Sequence, residues 1–291
     1  MDLLPENQTG RTAVITGANS GLGRATAAAL AAKGMRIVLA VRNPRSGREV
    51  ADQLPGDAEV RRLDLADLAS VRAFAADFTE PIDLLINNAG IMIPPLSRTA
   101  DGFESQFGTN HLGHFALTNL LLRQIRGRVV TVSSNGHRVG SIDFSDLNWE
   151  RRPYRATAAY GQSKLANLLF AAELQRRLTE AGSPVLATAA HPGVAATNLL
   201  KVETPVLSSI AKFGTRVFAQ TSEQGARPTL YAALADIPGN SYAGPRGFLQ
   251  NRGAPKLVGR SAKARDLETA RRLWTVSEEL TGVRFPLTVS A

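Results

Sequence analysis

Short apolar, β-branched runs alternate along the chain with longer stretches of helical period. Residues 12–16, 36–41, 59–63, 83–87, 128–133 and 185–190 read as strands, and a weaker seventh falls near 247–249. Between them lie Ala- and Leu-rich segments, among them 21–33, 68–77 and 103–124, which read as helices. Nearly continuous apolar strands separated by helices predict a parallel sheet covered on both faces, because such strands bury both rows of side chains. No Pro- or Gly-rich linker, internal repeat or low-complexity tract divides the 291 residues. The expected fold is therefore α/β, a single doubly wound domain over residues 1–291 with a mostly seven-stranded parallel sheet.

Composition narrows the class. With 44% hydrophobic and 20% charged residues the chain is an ordinary globular one. No uninterrupted apolar run of about 18 residues is present, so no spanning helix is expected. The N-terminus lacks the basic-then-apolar order of a signal peptide, and a cytoplasmic location is expected. Zero cysteines exclude disulfides, thiolate metal sites and a cysteine nucleophile. The net charge of +9 comes from 28 Arg and six Lys against 25 acidic residues. Residues 246–272 hold eight basic and two acidic side chains. Two readings stand for that stretch: a solvated face, or a surface for an anionic partner or membrane. Aromatic side chains do not interleave with the basic ones, so no nucleic-acid partner is expected.

The first candidate site is the loop Thr16, Gly17, Ala18, Asn19, Ser20, Gly21, Leu22, Gly23. It follows an apolar strand and opens a helix. Gly17 permits a tight turn, Gly21 lets backbone approach a pyrophosphate, and Gly23 allows close helix packing. Backbone N–H groups and the helix dipole then favour phosphate charge. At the end of the second strand, Leu39, Ala40, Val41, Arg42 and Asn43 supply no carboxylate for ribose hydroxyls. Arg42 can instead grip a 2′-phosphate, which points to NADP(H) with NAD(H) still open; the alternative is a surface Arg after a strand. Asp64 and Leu65 follow the third strand, where they read adenine or Asp64 caps a turn. Asn87, Asn88, Ala89 and Gly90 follow the fourth, and their small side chains let backbone crowd a ribose or simply end the strand.

The second candidate site is Tyr160 with Lys164, four residues apart on one face of an apolar-periodic helix. A free phenol has a pKa of about 10, and a nearby ammonium lowers it toward the working range of an acid/base group. Taken together, the glycine loop, Asn87-Asn88-Ala89-Gly90, Ser133-Ser134, Tyr160-x-x-x-Lys164 and the later Pro192-Gly193 follow the order of the short-chain dehydrogenase/reductase family. The resemblance covers about residues 10–250. The stretches 18–23, 109–115 and 164–167 look most like its retinol-dehydrogenase and protochlorophyllide-reductase-like branch.

That resemblance implies a Rossmann-like fold, with a glycine-rich cofactor half over about 10–125 and a catalytic and substrate half over about 126–291. It implies that Ser134 holds the substrate carbonyl or hydroxyl and that Tyr160 is the acid/base. Lys164 would bind the nicotinamide ribose and lower the tyrosine's pKa, and Asn110 would support a proton relay. By strand alternation only one of Ser133 and Ser134 can face the site. Pro192, Gly193 and Thr197 match the nicotinamide side. The 26-residue spacing from Ser134 to Tyr160 suits this branch, and the extra segment 143–155 is expected near the pocket mouth.

His111 and His114 lie three apart, but no carboxylate accompanies them at ligand spacing, so no metal is expected. The serines sit in no Gly-x-Ser-x-Gly elbow. A candidate lid over 195–220 is rich in Leu, Val and Phe. It either meets a hydrophobic carbonyl or alcohol substrate or packs on the sheet. The leading expectation is an NADP(H)-dependent oxidoreductase acting on a hydrophobic aldehyde, ketone or alcohol, as a homodimer or monomer. The alternative is a non-catalytic NADP(H)-sensing regulatory protein, a class that usually loses the Tyr or Lys kept here.

Overall fold

In a computed structural model of the protein, which describes Pro5 and residues 7–193 and 221–287, the apolar runs assemble into one eight-stranded sheet. Its strands are β1 (Thr12–Thr16), β2 (Arg36–Val41), β3 (Ala58–Arg62), β4 (Ile82–Asn87), β5 (Ile125–Val132), β6 (Leu186–Ala190), β7 (Tyr242–Pro245) and β8 (Pro255–Leu257). The order across the sheet is β3-β2-β1-β4-β5-β6-β7-β8, and every pair is parallel except β7 with β8. The expected seven parallel strands are present, and an antiparallel eighth extends the edge. The weak strand expected at 247–249 is instead the tip of the β7–β8 turn; the seventh strand lies a few residues earlier.

The helices are α1 (Gly21–Ala31), α2 (Pro44–Ala51), α3 (Leu68–Ala76), α4 (Ser105–Phe107), α5 (Gly113–Leu121), α6 (Ala156–Glu180), α7 (Ser222–Leu234) and α8 (Leu267–Thr281). Strand alternation divides the core between the two faces. Val14 packs with Phe74, Phe115, Phe170 and Trp274 on one side. Its neighbours Ala13 and Ile15 pack with Leu30, Val50 and Leu230 on the other. Trp274 of α8 is fully buried, stacked on Phe170 with ring centroids 5.7 Å apart and set edge-on to Phe115 at 4.9 Å. The C-terminal helix is thus part of the core.

Sequence position 103–124, read as one helix, is three pieces: α4, a π-helical turn (Gly108–Leu112) and α5. Wide turns of this kind concentrate at functional sites, and Asn110 lies in this one. The strand order reverses between β1 and β4, and the connections leave their carboxyl ends on opposite sides. A crevice opens there, the place where open α/β sheets bind ligands.

Candidate active site

The crevice holds a cavity of about 360 Å³ lined by Gly17, Asn19, Ser20, Gly21, Leu22, Gly23, Arg42, Asp64, Leu65, Asn88, Ala89 and Gly90. These are twelve of the residues singled out in the sequence. Gly17 has φ +65°, and a Cβ on it would sit 3.1 Å from Ala89, so the glycine loop lies against the turn after β4. A Cβ on Gly23 would strike the Gly17 carbonyl and come within 2.6 Å of Asn88 Nδ2. Ser20 precedes α1 without capping it through its side chain, so first-turn N–H groups remain available to a ligand in the cavity.

One hydroxyl fastens the loop ends together. Thr16 Oγ1 accepts the backbone N–H of both Asn88 and Ala89, each at 2.9 Å. Its own proton is then free for His114 Nε2, also at 2.9 Å. His114 Nδ1 in turn donates to the Asn110 carbonyl at 3.0 Å. Burial pushes the His114 pKa down to about 4, so the imidazole is neutral at pH 7. His111 is likewise held at about 3 by burial and bonds Ser277 Oγ at 2.9 Å. Both rings serve packing and hydrogen bonding.

Arg42 is exposed at the cavity rim and makes no ion pair among the described residues. Asp64 accepts the Ala66 N–H at 3.0 Å, as a turn cap does, and also lines the cavity. Ala40, Asn43, Leu63, Ile91 and Thr109 line the cavity as well. Sequence reasoning missed them. Only Asn43, next to Arg42, carried a readable signal; it accepts the Arg45 N–H and caps α2.

Gly90 joins this cavity to the second cluster. A Cβ there would lie 3.2 Å from Asn110 Oδ1 and 3.4 Å from Lys164 Nζ. Asn110 is held on three sides: Oδ1 accepts Ile91 N–H at 2.9 Å, and Nδ2 donates to Ile91 O and Ser163 Oγ, both at 3.0 Å. Lys164 is buried, donates to Val132 O at 3.3 Å, and has its pKa lowered by burial from 10.5 to about 8.

Ser133 and Ser134 point apart. Ser133 Oγ donates to the Lys164 carbonyl at 2.7 Å, whereas Ser134 Oγ lies on the Tyr160 side, where both side chains flank Gly136. Ser134 Oγ also accepts the Gly136 N–H at 3.1 Å, and a Cβ on Gly136 would lie 3.1 Å from the Tyr160 ring. His137 pins that turn by donating from Nδ1 to Ser134 O at 2.6 Å and accepting Ser261 N–H at Nε2. Burial raises the Tyr160 pKa above its ordinary 10.0, opposed by the neighbouring Ser134 side chain. Lys164 Nζ lies 5.6 Å from the Tyr160 ring centroid and donates to Val132 O.

Other expected positions fall outside these clusters. Pro192 and Gly193 follow β6 beside His191, whose Nδ1 accepts the Gly193 N–H at 3.2 Å; neither lines the cavity. Thr197 and the candidate lid lie outside the described residues. The 143–155 segment does not line the cavity; it buries Trp149 under Arg152, 3.7 Å from the ring centroid, and ties itself to α6 through Leu147 O and Gln162 Nε2.

A concave cavity with free helix N–H groups and an arginine at one end, and a buried ammonium and amide at the other, fits an extended dinucleotide. Residues 11–206 match the family model described as short chain dehydrogenase, and the chain belongs to that family. It is similar to human (Homo sapiens) retinol dehydrogenase 13, at 43% identity over 95% of this chain and 86% of the relative. A crystal structure of an uncharacterized protein from Mycobacterium Paratuberculosis shares 53% identity and a TM-score of 0.84, covering 98% of this chain and 97% of that one. An NAD(P)-dependent gluconate 5-dehydrogenase structure from Beutenbergia cavernae, with bound NADP, shares 28% identity and a TM-score of 0.57 over 80% and 92% of the two chains. The protein is an oxidoreductase that uses a nicotinamide cofactor.

Proposed function

We propose that the protein is an NADP(H)-dependent reductase or dehydrogenase of hydrophobic carbonyl or alcohol compounds. The observation that carries this reading is the convergence of Ser134 and Tyr160 on Gly136, with Lys164 Nζ 5.6 Å from the Tyr160 ring and packed with Asn110 against Gly90 of the dinucleotide cavity. Gly17, Asn19, Ser20, Gly21, Leu22 and Gly23 would hold the pyrophosphate side; Asp64, Leu65, Asn88, Ala89 and Gly90 would hold adenine and ribose. A bound nicotinamide supplies the hydride or accepts it.

The chain's own residues handle the oxygen and the proton. Ser134 Oγ donates to the substrate oxygen and stabilises the charge that develops there. Tyr160 transfers the proton at the same oxygen, and its raised pKa makes it a proton donor at neutral pH. Lys164 supplies positive charge beneath Gly90, and Asn110 fixes the π turn that frames it. The retinoid-acting relatives and the apolar 195–220 sequence support a hydrophobic substrate.

Arg42 supports the 2′-phosphate preference. The experiment is steady-state turnover of aliphatic and retinoid-like aldehydes with NADPH and with NADH. We expect wild type to prefer NADPH, and Arg42→Asp to erode the ratio about 10- to 100-fold, the worth of a charge-assisted contact. An unchanged ratio contradicts the cofactor reading.

A further inference from the structure

The turn between β7 and β8 is a hairpin whose outer pair, Arg246 N–H to Ala254 O and Gly247 N–H to Arg252 O, closes a tip at residues 247–252. Its two apolar residues face solvent: Phe248 is 86% exposed and Leu249 is 69% exposed. Asn135 Nδ2 donates to Leu249 O at 3.3 Å, so the tip leans on the turn that carries Val139, itself 76% exposed. Leu249 and Gln250 hold φ of +51° and +58°, a left-handed backbone uncommon for such residues. Strain of that kind persists at functional loops, where the surroundings hold it in place.

The rim is cationic. Arg138, Arg246 and Arg252 are exposed and form no ion pair among the described residues. Residues 246–265 contain six basic side chains and no carboxylate. An apolar tip ringed by arginine matches the two forces that hold a protein at a lipid surface: burial of apolar side chains at the acyl boundary and attraction to anionic headgroups. Residues 194–220 carry three basic and one acidic residue and so bear the same sign as the rim.

We propose that this hairpin tip docks on an anionic bilayer, with Phe248, Leu249 and Val139 entering the headgroup boundary and Arg138, Arg246 and Arg252 pairing with lipid headgroups. Binding itself is independent of catalysis. Its consequence rests on the proposed function: Asn135 adjoins Ser134, so docking sets the reacting pair beside the bilayer, where an apolar substrate enters without crossing water.

The test is flotation of the full chain with vesicles of phosphatidylcholine, with and without about one-quarter phosphatidylglycerol, in about 0.1 M salt. Anionic vesicles are expected to bind at least ~10-fold more protein. The variants Phe248→Ser with Leu249→Ser, and Arg246→Gln with Arg252→Gln, are each expected to lose most of that binding while retaining NADPH binding. The chain has no cysteine, so Val139→Cys carrying a polarity-sensitive dye reports insertion by a blue shift on anionic vesicles alone. Equal binding to neutral vesicles, binding untouched by both double variants, or a dye already shielded without vesicles overturns the proposal. The last outcome means that another part of the chain, or a second copy, covers the tip.

Discussion

Lys164 shows what the site costs the fold. Its ammonium is buried and its pKa falls from 10.5 to about 8. Between those values the unfolded chain holds a proton that the folded chain has released, so stability rises with pH across that window. Below about 8 both states are charged and the full desolvation cost is borne by the fold. Replacing the ammonium by an isosteric apolar group removes that cost. We expect Lys164→Met to raise unfolding free energy at pH 7 by up to ~3 kcal/mol, read from urea melts, while turnover is lost. A destabilised variant would mean that the Val132 hydrogen bond outweighs burial. At this scale the sequence was informative about residue types but not about directions. The choice between Ser133 and Ser134 turned on strand alternation, and the structure sends Ser133 into the Lys164 carbonyl. The sign of the Tyr160 shift required knowing how deeply the phenol is buried.

Elements were legible where apolar pattern and breakers agreed. β1 and β2 fall where the runs at 12–16 and 36–41 place them, because both rows of side chains are buried and nothing polar interrupts them. β7 was misplaced by a few residues: Tyr242, Ala243, Gly244 and Pro245 form a buried strand although Gly and Pro are turn-forming types. A Cβ on Gly244 would strike the His191 ring, so close strand packing, rather than turning, is what that glycine serves. The exposed Phe248 and Leu249 drew the expectation outward instead. β8 is only three residues, too short to leave a period. The π turn at Asn110 left no compositional trace, since one wide turn inside an apolar segment uses the same residue types as an α-helix. In α8, burial of Ala270, Leu273, Trp274 and Ser277 follows helical spacing, and the sequence reading placed no helix there.

For the whole molecule, three neutral imidazoles tie the fold to pH. His111, His114 and His191 are held by burial at about 3, 4 and 4, against an ordinary 6.5. The unfolded chain binds those protons first, so stability is fully present above about 6.5 and is lost as pH falls toward 4. Each imidazole withdraws about 2 kcal/mol between pH 6.5 and 5. The melting temperature is therefore expected to drop steeply over that range in calorimetry; a flat profile would contradict the buried, neutral assignment. The parallel sheet and twelve of the cavity-lining residues were legible in the apolar pattern and the motifs, whereas Ala40, Asn43, Leu63, Ile91 and Thr109 were not. What the sequence leaves open at this scale is the substrate wall, because it depends on which apolar side chains converge.

The central claim is that Tyr160 moves the proton in a nicotinamide-dependent reaction. It is tested most directly by following NADPH oxidation with apolar aldehydes in wild type and Tyr160→Phe, with NADPH binding measured on both. The account predicts intact binding in the variant and turnover reduced by at least the ~10²–10⁴ of a lost acid/base group. Turnover within a few-fold of wild type would contradict it.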